Sequence, residues 1–316
     1  TTIQDTFYAN SELLARHGLV YPRIAQIAGH HGLVYDWVRL PKTYAYAGGS
    51  LANLSRLAEA HAGGDATLFL SSEEFSRIDP QARVDFAQVR ERLAAFDEIE
   101  VICVLRQQWQ FLQSVYLELG KKRVPPRPPQ FVQPVIEKGT VAGLAADYNL
   151  LLDRLETVFA PEEITFVDFH AARAARGGIL GWMLDHLRID LDPGALEKVN
   201  GGSSNVSPMS LASWAANMLA EPQVAPPWLV DEVTKLLRRE HGDEVSPCLF
   251  TRAEFQTLKM HFDARNGHLA ARRAAAQPGF SLKPADEDRL DLFRNDLGGQ
   301  FWLKVARRVT ARTLKV

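Results

Sequence analysis

The chain has 316 residues, 46% hydrophobic and 23% charged, with a formal net charge of −2 at pH 7 and a pI near 6.5. That length admits a large α/β domain with a helical appendage. The near-neutral balance excludes the strong basic excess of a general nucleic-acid binder, while leaving room for a local cationic pocket.

No run of about 18 apolar residues predicts a membrane span. The opening Thr1-Thr2-Ile3-Gln4-Asp5 has neither the basic start nor the apolar region of a signal peptide. The two cysteines, Cys103 and Cys248, predict neither a disulfide framework nor a metal site, and suit a reducing compartment.

In chain order, Ile3, Phe7, Leu13 and Leu14 share one helix face, and Gly18 follows as a stop. Leu19 to Pro22 predicts a short strand. Residues 23–49 carry His30-His31-Gly32 and Gly48-Gly49, which predicts a loop with a short helix. Ser50 to about Ala62 predicts a helix, and Ala66 to Leu70 a buried strand running into Ser71-Ser72-Glu73-Glu74. Asp85 to Phe96 predicts a helix. Glu98 to Leu105 ends in a continuous apolar run, the pattern of a central parallel strand, and a helix follows from Gln107 to Gly120. The proline-rich segment 121–134 predicts a loop. Helices are predicted over 142–159 and 180–187, with a strand over 164–169. Strands alternating with helices predict an α/β fold with a parallel sheet, and mainly helices are expected beyond residue 200.

Three fragments bear on chemistry. Thr1 and Thr2 precede a helix, where hydroxyls and backbone N–H groups cap the helix or meet an anion. Arg106 lies where the strand ending at Leu105 runs out, the end of a parallel sheet at which ligands bind. Ser114 follows eight positions later, two helical turns on. An arginine fork with a serine donor suits a phosphate; an ordinary surface ion pair is the alternative for Arg106. The third fragment supplies candidate bases: His30, His31 and Glu73. Glu73 also reads as a carboxylate capping a helix start. Trp37, Tyr44, Tyr46 and the proline-rich loop either line a sugar site by stacking or pack locally.

Together these fragments resemble the sulfotransferase family, which transfers a sulfuryl group from 3′-phosphoadenosine-5′-phosphosulfate. Thr1-Thr2-Ile3-Gln4 looks like the end of that family's phosphate-binding loop. Arg106, Ser114 and Tyr116 match its strand, Arg and Ser signature. His17-Gly18-Leu19-Val20-Tyr21-Pro22, Leu70-Ser71-Ser72-Glu73, Val167-Asp168-Phe169, Asn205-Val206-Ser207-Pro208 and Phe262 with Asn266 and Leu269 resemble bacterial, carbohydrate-type members.

The resemblance implies a P-loop-like parallel sheet flanked by helices over 1–200 and a helical region over 201–316. The family's loop lysine and glycine are not in this sequence, so they and the first strand are expected to precede Thr1. It further implies that Thr1 and Thr2 cradle the 5′-phosphosulfate, that Arg106 and Ser114 hold the 3′-phosphate, and that His31 or His30, then Glu73, serves as base. The product nucleotide would be adenosine 3′,5′-bisphosphate, with no metal required. The acceptor would be a hydroxyl on a carbohydrate or glycolipid. A cytoplasmic enzyme is implied, peripheral to the inner membrane where the acceptor is a lipid. A P-loop small-molecule kinase and a non-catalytic carbohydrate-binding protein of the same fold are the alternatives.

Overall fold

The computed structural model describes residues 2–199 and 208–314. Thr1 and the Asn205-Val206-Ser207 part of the Asn-Val-Ser-Pro segment lie outside the described residues. The chain is mixed α/β. Its helices are α1 (Thr2–Ala9), α2 (Ser11–Arg16), α3 (Gly49–His61), α4 (Phe86–Arg92), α5 (Gln108–Gly120), α6 (Pro128–Lys138), α7 (Tyr148–Leu155), α8 (Phe169–Ala174), α9 (Gly178–His186), α10 (Ser210–Ala220), α11 (Pro227–His241), α12 (Arg252–Arg273) and α13 (Gly299–Thr313). Its strands are β1 (Leu19–Val20), β2 (Thr67–Leu68), β3 (Val101–Leu105), β4 (Thr140–Val141), β5 (Leu144–Ala145), β6 (Ile164–Asp168), β7 (Pro247–Cys248) and β8 (Leu292–Phe293).

Two compact units form, and they interleave along the chain. The first draws on 1–106, 143–206 and 266–283, the second on 107–142, 207–265 and 284–316. The division expected near residue 200 is a division along the sequence; contacts group the segment 107–142 with the later helices instead.

The first unit is layered. β1 pairs in parallel with β2, and β3 pairs in parallel with β6, Leu105 lying opposite Asp168. Side chains alternate across a strand, and here the alternation separates two apolar clusters. Phe69 and Ile102 pack with Phe7, Leu19 and Met183. Leu70, Val101, Cys103 and Leu105 pack with Leu54, Leu152 and Phe166. The chain around β2 and β3 thus forms a middle layer, with α1, α2 and α9 supplying one cluster and α3, α4 and α7 the other. Helices covering both faces agree with the α/β expectation, but the strands form separate two-stranded pairs, β1 with β2 and β3 with β6, so β3 has one strand neighbour and not the two expected of a central strand.

The open edge of β6 is closed by side chains. Gln277 Oε1 accepts from Phe166 N–H at 3.0 Å and Gln277 Nε2 donates to Phe166 O at 2.5 Å. Arg273 donates to Ile164 O and Pro161 O at 2.6 and 2.8 Å. A fully buried strand edge needs partners for its backbone groups, and one amide supplies both for Phe166, as a further strand would.

Three expected elements differ. The helix expected across Ile3 to Leu14 is broken at Asn10, whose side-chain amide donates to Thr6 O and Glu197 O and accepts from Glu197 N–H, at 2.8, 3.0 and 2.8 Å. Asparagine competes in this way with helix backbone bonds. The proline-rich 121–134 segment, expected as a loop, becomes α6 from Pro128 onward. Pro128 and Pro129 occupy the first turn, where a missing N–H costs nothing, and Gly139 (φ 67°) ends the helix. The helix expected from residue 142 starts only at Tyr148, after the left-handed pair Ala142-Gly143 and capped by Asp147 Oδ1.

The second unit is mainly helical, with the short parallel pair β7 and β8. Arg294 and Glu254 form an ion pair, with one arginine nitrogen 2.5 and 2.6 Å from the two carboxylate oxygens and both side chains less than a fifth exposed. Among the described residues no helix is long and apolar enough to cross a membrane.

Candidate functional site

Beyond β2 the chain continues through Leu70 to Ser71 and Ser72, then tightens into a 3-10 turn over Glu73–Ser76. Ser72 caps this turn, its Oγ accepting from Glu74 N–H at 3.2 Å. The loop after β1 is tied alongside. His30 N–H donates to Ser71 O at 2.7 Å, and Ser71 N–H donates to His30 Nδ1 at 2.9 Å. His30 Nε2 stands 2.8 Å from Pro22 O. A carbonyl only accepts, so Nε2 carries the proton, and Nδ1 accepts one bond. Both nitrogens are therefore committed in one neutral tautomer. Burial lowers the His30 pKa to about 4, outweighing its bond to Pro22. His30 thus splices two loops; it has no free lone pair with which to take a proton.

His31 is positioned differently. Its Nδ1 lies 2.9 Å from Ser72 Oγ and 3.7 Å from Glu73 Oε2. Its ring packs edge-on against Tyr44 at 5.0 Å. The other edge tucks against Gly29: a Cβ at that position would stand 2.4 Å from His31 Nε2. Glycine at 29 is what lets the imidazole sit there. The Ser72, His31 and Glu73 types suggest a nucleophilic triad, but the geometry rules against one. Hydroxyl and carboxylate both face Nδ1, whereas a triad needs them on opposite ring nitrogens.

Glu73 is the open member of the group. Gln4, a buried residue of α1, donates from Nε2 to Glu73 Oε2 at 3.1 Å. The Glu73 side chain keeps 61% of its surface exposed, and among the described residues Oε1 accepts no hydrogen bond. Desolvation raises the Glu73 carboxyl, but the charge of His31, the Glu73 N–H and the Gln4 amide outweigh it and hold the pKa below the ordinary carboxylate value. Solvent reaches the carboxylate, so crowding near Glu73 limits it less than burial would. Glu73 is ionised at neutral pH, with one oxygen anchored and one free.

Arg106 emerges at the carboxyl end of β3. Its backbone is fixed by Tyr148, whose phenol donates to Arg106 O at 2.7 Å. Burial pushes the Tyr148 pKa up, which keeps that phenol protonated. The Arg106 guanidinium lies 4.2 Å from the centre of the Phe169 ring. It is exposed by surface area, yet surrounding atoms desolvate it and Arg173 adds like charge. Both lower its pKa, although Tyr148 opposes them. It remains a cation.

The expected residues are thus only partly gathered. His30, His31 and Glu73 come together at the end of β2, and α1, which begins at Thr2, contributes Gln4 to them. Arg106 makes no hydrogen bond or ion pair with this group among the described residues. Ser114 belongs to the second unit, where its Oγ donates to Gln110 O at 3.0 Å. Trp37 and Tyr46 pack against the first unit's core, while Tyr44 borders His31.

Gln4 and Phe169 stood in the sequence only as members of the matched segments Thr1-Thr2-Ile3-Gln4 and Val167-Asp168-Phe169, and Arg173 carried no signal. Gln4 sits 69 positions from Glu73, and only the packing of α1 over the strand end joins them. Among the described residues no group of three or more His, Cys, Asp or Glu is placed to hold a metal ion. No family model, curated protein or solved structure matches this chain.

Proposed function

We propose that this chain is a sulfotransferase of P-loop-like fold, moving a sulfuryl group from 3′-phosphoadenosine-5′-phosphosulfate to an acceptor hydroxyl. The observation that carries the reading is Arg106. It stands at the carboxyl end of the parallel strand β3, is held in place by Tyr148 and Phe169, and among the described residues has no carboxylate partner. An arginine so placed and left unneutralised suits a phosphate group. The layered first unit supports the fold.

In this reading Glu73 is the general base. It alone of the three candidates has an open, ionised atom. Its Oε1 takes the proton from the acceptor hydroxyl as that oxygen bonds to sulfur. The sulfur–oxygen bond to the 5′-phosphate breaks, and the nucleotide leaves as adenosine 3′,5′-bisphosphate. Sulfuryl transfer, like phosphoryl transfer, builds charge on the leaving oxygen and demands in-line positioning more than a strong base. A carboxylate with a lowered pKa fits that demand. Gln4 and His31 act through Glu73, fixing its orientation. Thr2 would face the 5′-phosphosulfate, as the resemblance implies. A carbohydrate or glycolipid hydroxyl is the acceptor class proposed.

The test is transfer from radiolabelled donor to a panel of polysaccharides, glycolipids and small phenols. Glu73→Gln should lower turnover at saturating donor about 100-fold or more, the usual worth of a general base. Wild-type turnover in Glu73→Gln would remove Glu73 from the mechanism. Absence of both transfer and nucleotide binding in the wild-type protein would overturn the reading as a whole.

A further inference from the structure

A second arginine shares the aromatic ring under Arg106. Arg173, near the end of α8, has its guanidinium carbon 5.6 Å from the Phe169 centroid, against 4.2 Å for Arg106. The two are close enough for their like charges to interact unfavourably. Among the described residues neither has a carboxylate within ion-pair distance. The carboxylate of this stretch, Asp168, is spent elsewhere. Its Oδ1 accepts from His170 and Ala171 N–H at 2.6 and 3.2 Å, and its Oδ2 from Lys283 N–H at 2.8 Å. Two cations gathered on one ring without a counter-charge are an unfavourable arrangement unless something negative joins them.

We infer that Arg106 and Arg173 form a two-armed clamp for a phosphate-type dianion, with Phe169 holding both guanidiniums in place. This rests on the sulfotransferase reading for the identity of the anion, the donor's 3′-phosphate, to which Arg173 is added as a second ligand. The clamp is built on ordered parts. Tyr148 pins the Arg106 backbone, and Asp168 fixes the start of the helix that carries Phe169 and Arg173. Stacking on the ring restrains the guanidinium planes before the ligand arrives, which lowers the ordering cost of binding. Two arginines also match a dianion in charge, and each offers a planar fork of donors.

The experiment compares adenosine 3′,5′-bisphosphate with adenosine 5′-phosphate by calorimetry, on wild type, Arg173→Ala, Arg173→Lys and Arg106→Ala. Arg173 is exposed, so its replacement leaves the fold intact; circular dichroism checks this. Arg173→Ala should weaken the bisphosphate about 10- to 100-fold, from the loss of a charge-assisted bond. It should leave the monophosphate nearly unchanged, and Arg173→Lys should fall between. If Arg106→Ala loses the discrimination and Arg173→Ala keeps it, the clamp is overturned while the donor reading stands. If wild type binds neither nucleotide, the donor reading fails, and millimolar sulfate then decides the clamp alone. Shifts of the arginine Nε–H resonances of both Arg106 and Arg173 in wild type would uphold it; unmoved resonances would overturn it.

Discussion

Lowering the pH tests the loop splice at His30 directly. In the folded chain this imidazole titrates near pH 4, whereas in the unfolded chain it titrates at about 6.5. Between those values the unfolded state binds the proton and the folded state does not, so stability rises with pH across this window and is lost as the pH falls through it. The whole shift corresponds to about 3 kcal/mol, and the part lying between pH 7 and 4.5 to about 2 kcal/mol. Protonation has this cost because Nδ1 must release the Ser71 N–H and the charge must be buried. The assay is urea denaturation followed by far-ultraviolet circular dichroism at pH 7 and 4.5, for wild type and His30→Gln. Glutamine does not titrate, so the variant is less stable at pH 7 but should lose about 2 kcal/mol less on acidification. A ring titration by nuclear magnetic resonance should give the same low value. Equal losses in the two proteins, together with a ring that titrates near 6.5, would refute the account of His30 as a buried neutral splice.

Two further outcomes concern stability. Gln277→Leu leaves Phe166 N–H and C=O buried without partners and should cost about 2–4 kcal/mol, with faster hydrogen exchange along β6; an unchanged denaturation midpoint would mean that the edge is satisfied in another way. Arg294→Met leaves the largely buried Glu254 carboxylate without its ion-pair partner and should cost about 3 kcal/mol. Adding Glu254→Gln should recover part of that loss, and strict additivity of the two changes would show that the pair is uncoupled.

Much of the first unit was legible along the chain. The apolar run from Val101 to Leu105 becomes β3, and its alternating side chains reach two clusters, although only Leu105 is fully buried. Asp85 starts a helix where one was expected, its side chain capping the first turn; the Asp147 and Asp168 caps start helices at places the residue pattern did not mark. The prolines at 128 and 129 misled because a breaker inside a helix is harmless in its first turn. The separation into interleaved units was not legible, since nothing local marks 107–142 as belonging with residues beyond 207.

The same division runs through the candidate site. Residue types alone singled out His30, His31, Glu73 and Arg106, because imidazoles, a carboxylate and an arginine at strand ends are the groups with chemistry to offer. The resemblance placed His31 or His30 ahead of Glu73. Which of their lone pairs are already used depends on Pro22, Ser71, Gln4 and Gly29, scattered over the first 71 residues. Likewise the sequence paired Arg106 with Ser114 by spacing, whereas the structure sets Arg173 beside it, 67 positions away, on the shared ring of Phe169. Local sequence determines which groups are present and which elements carry them; the protonation and orientation of each group follow from neighbours that only tertiary packing brings within hydrogen-bonding distance.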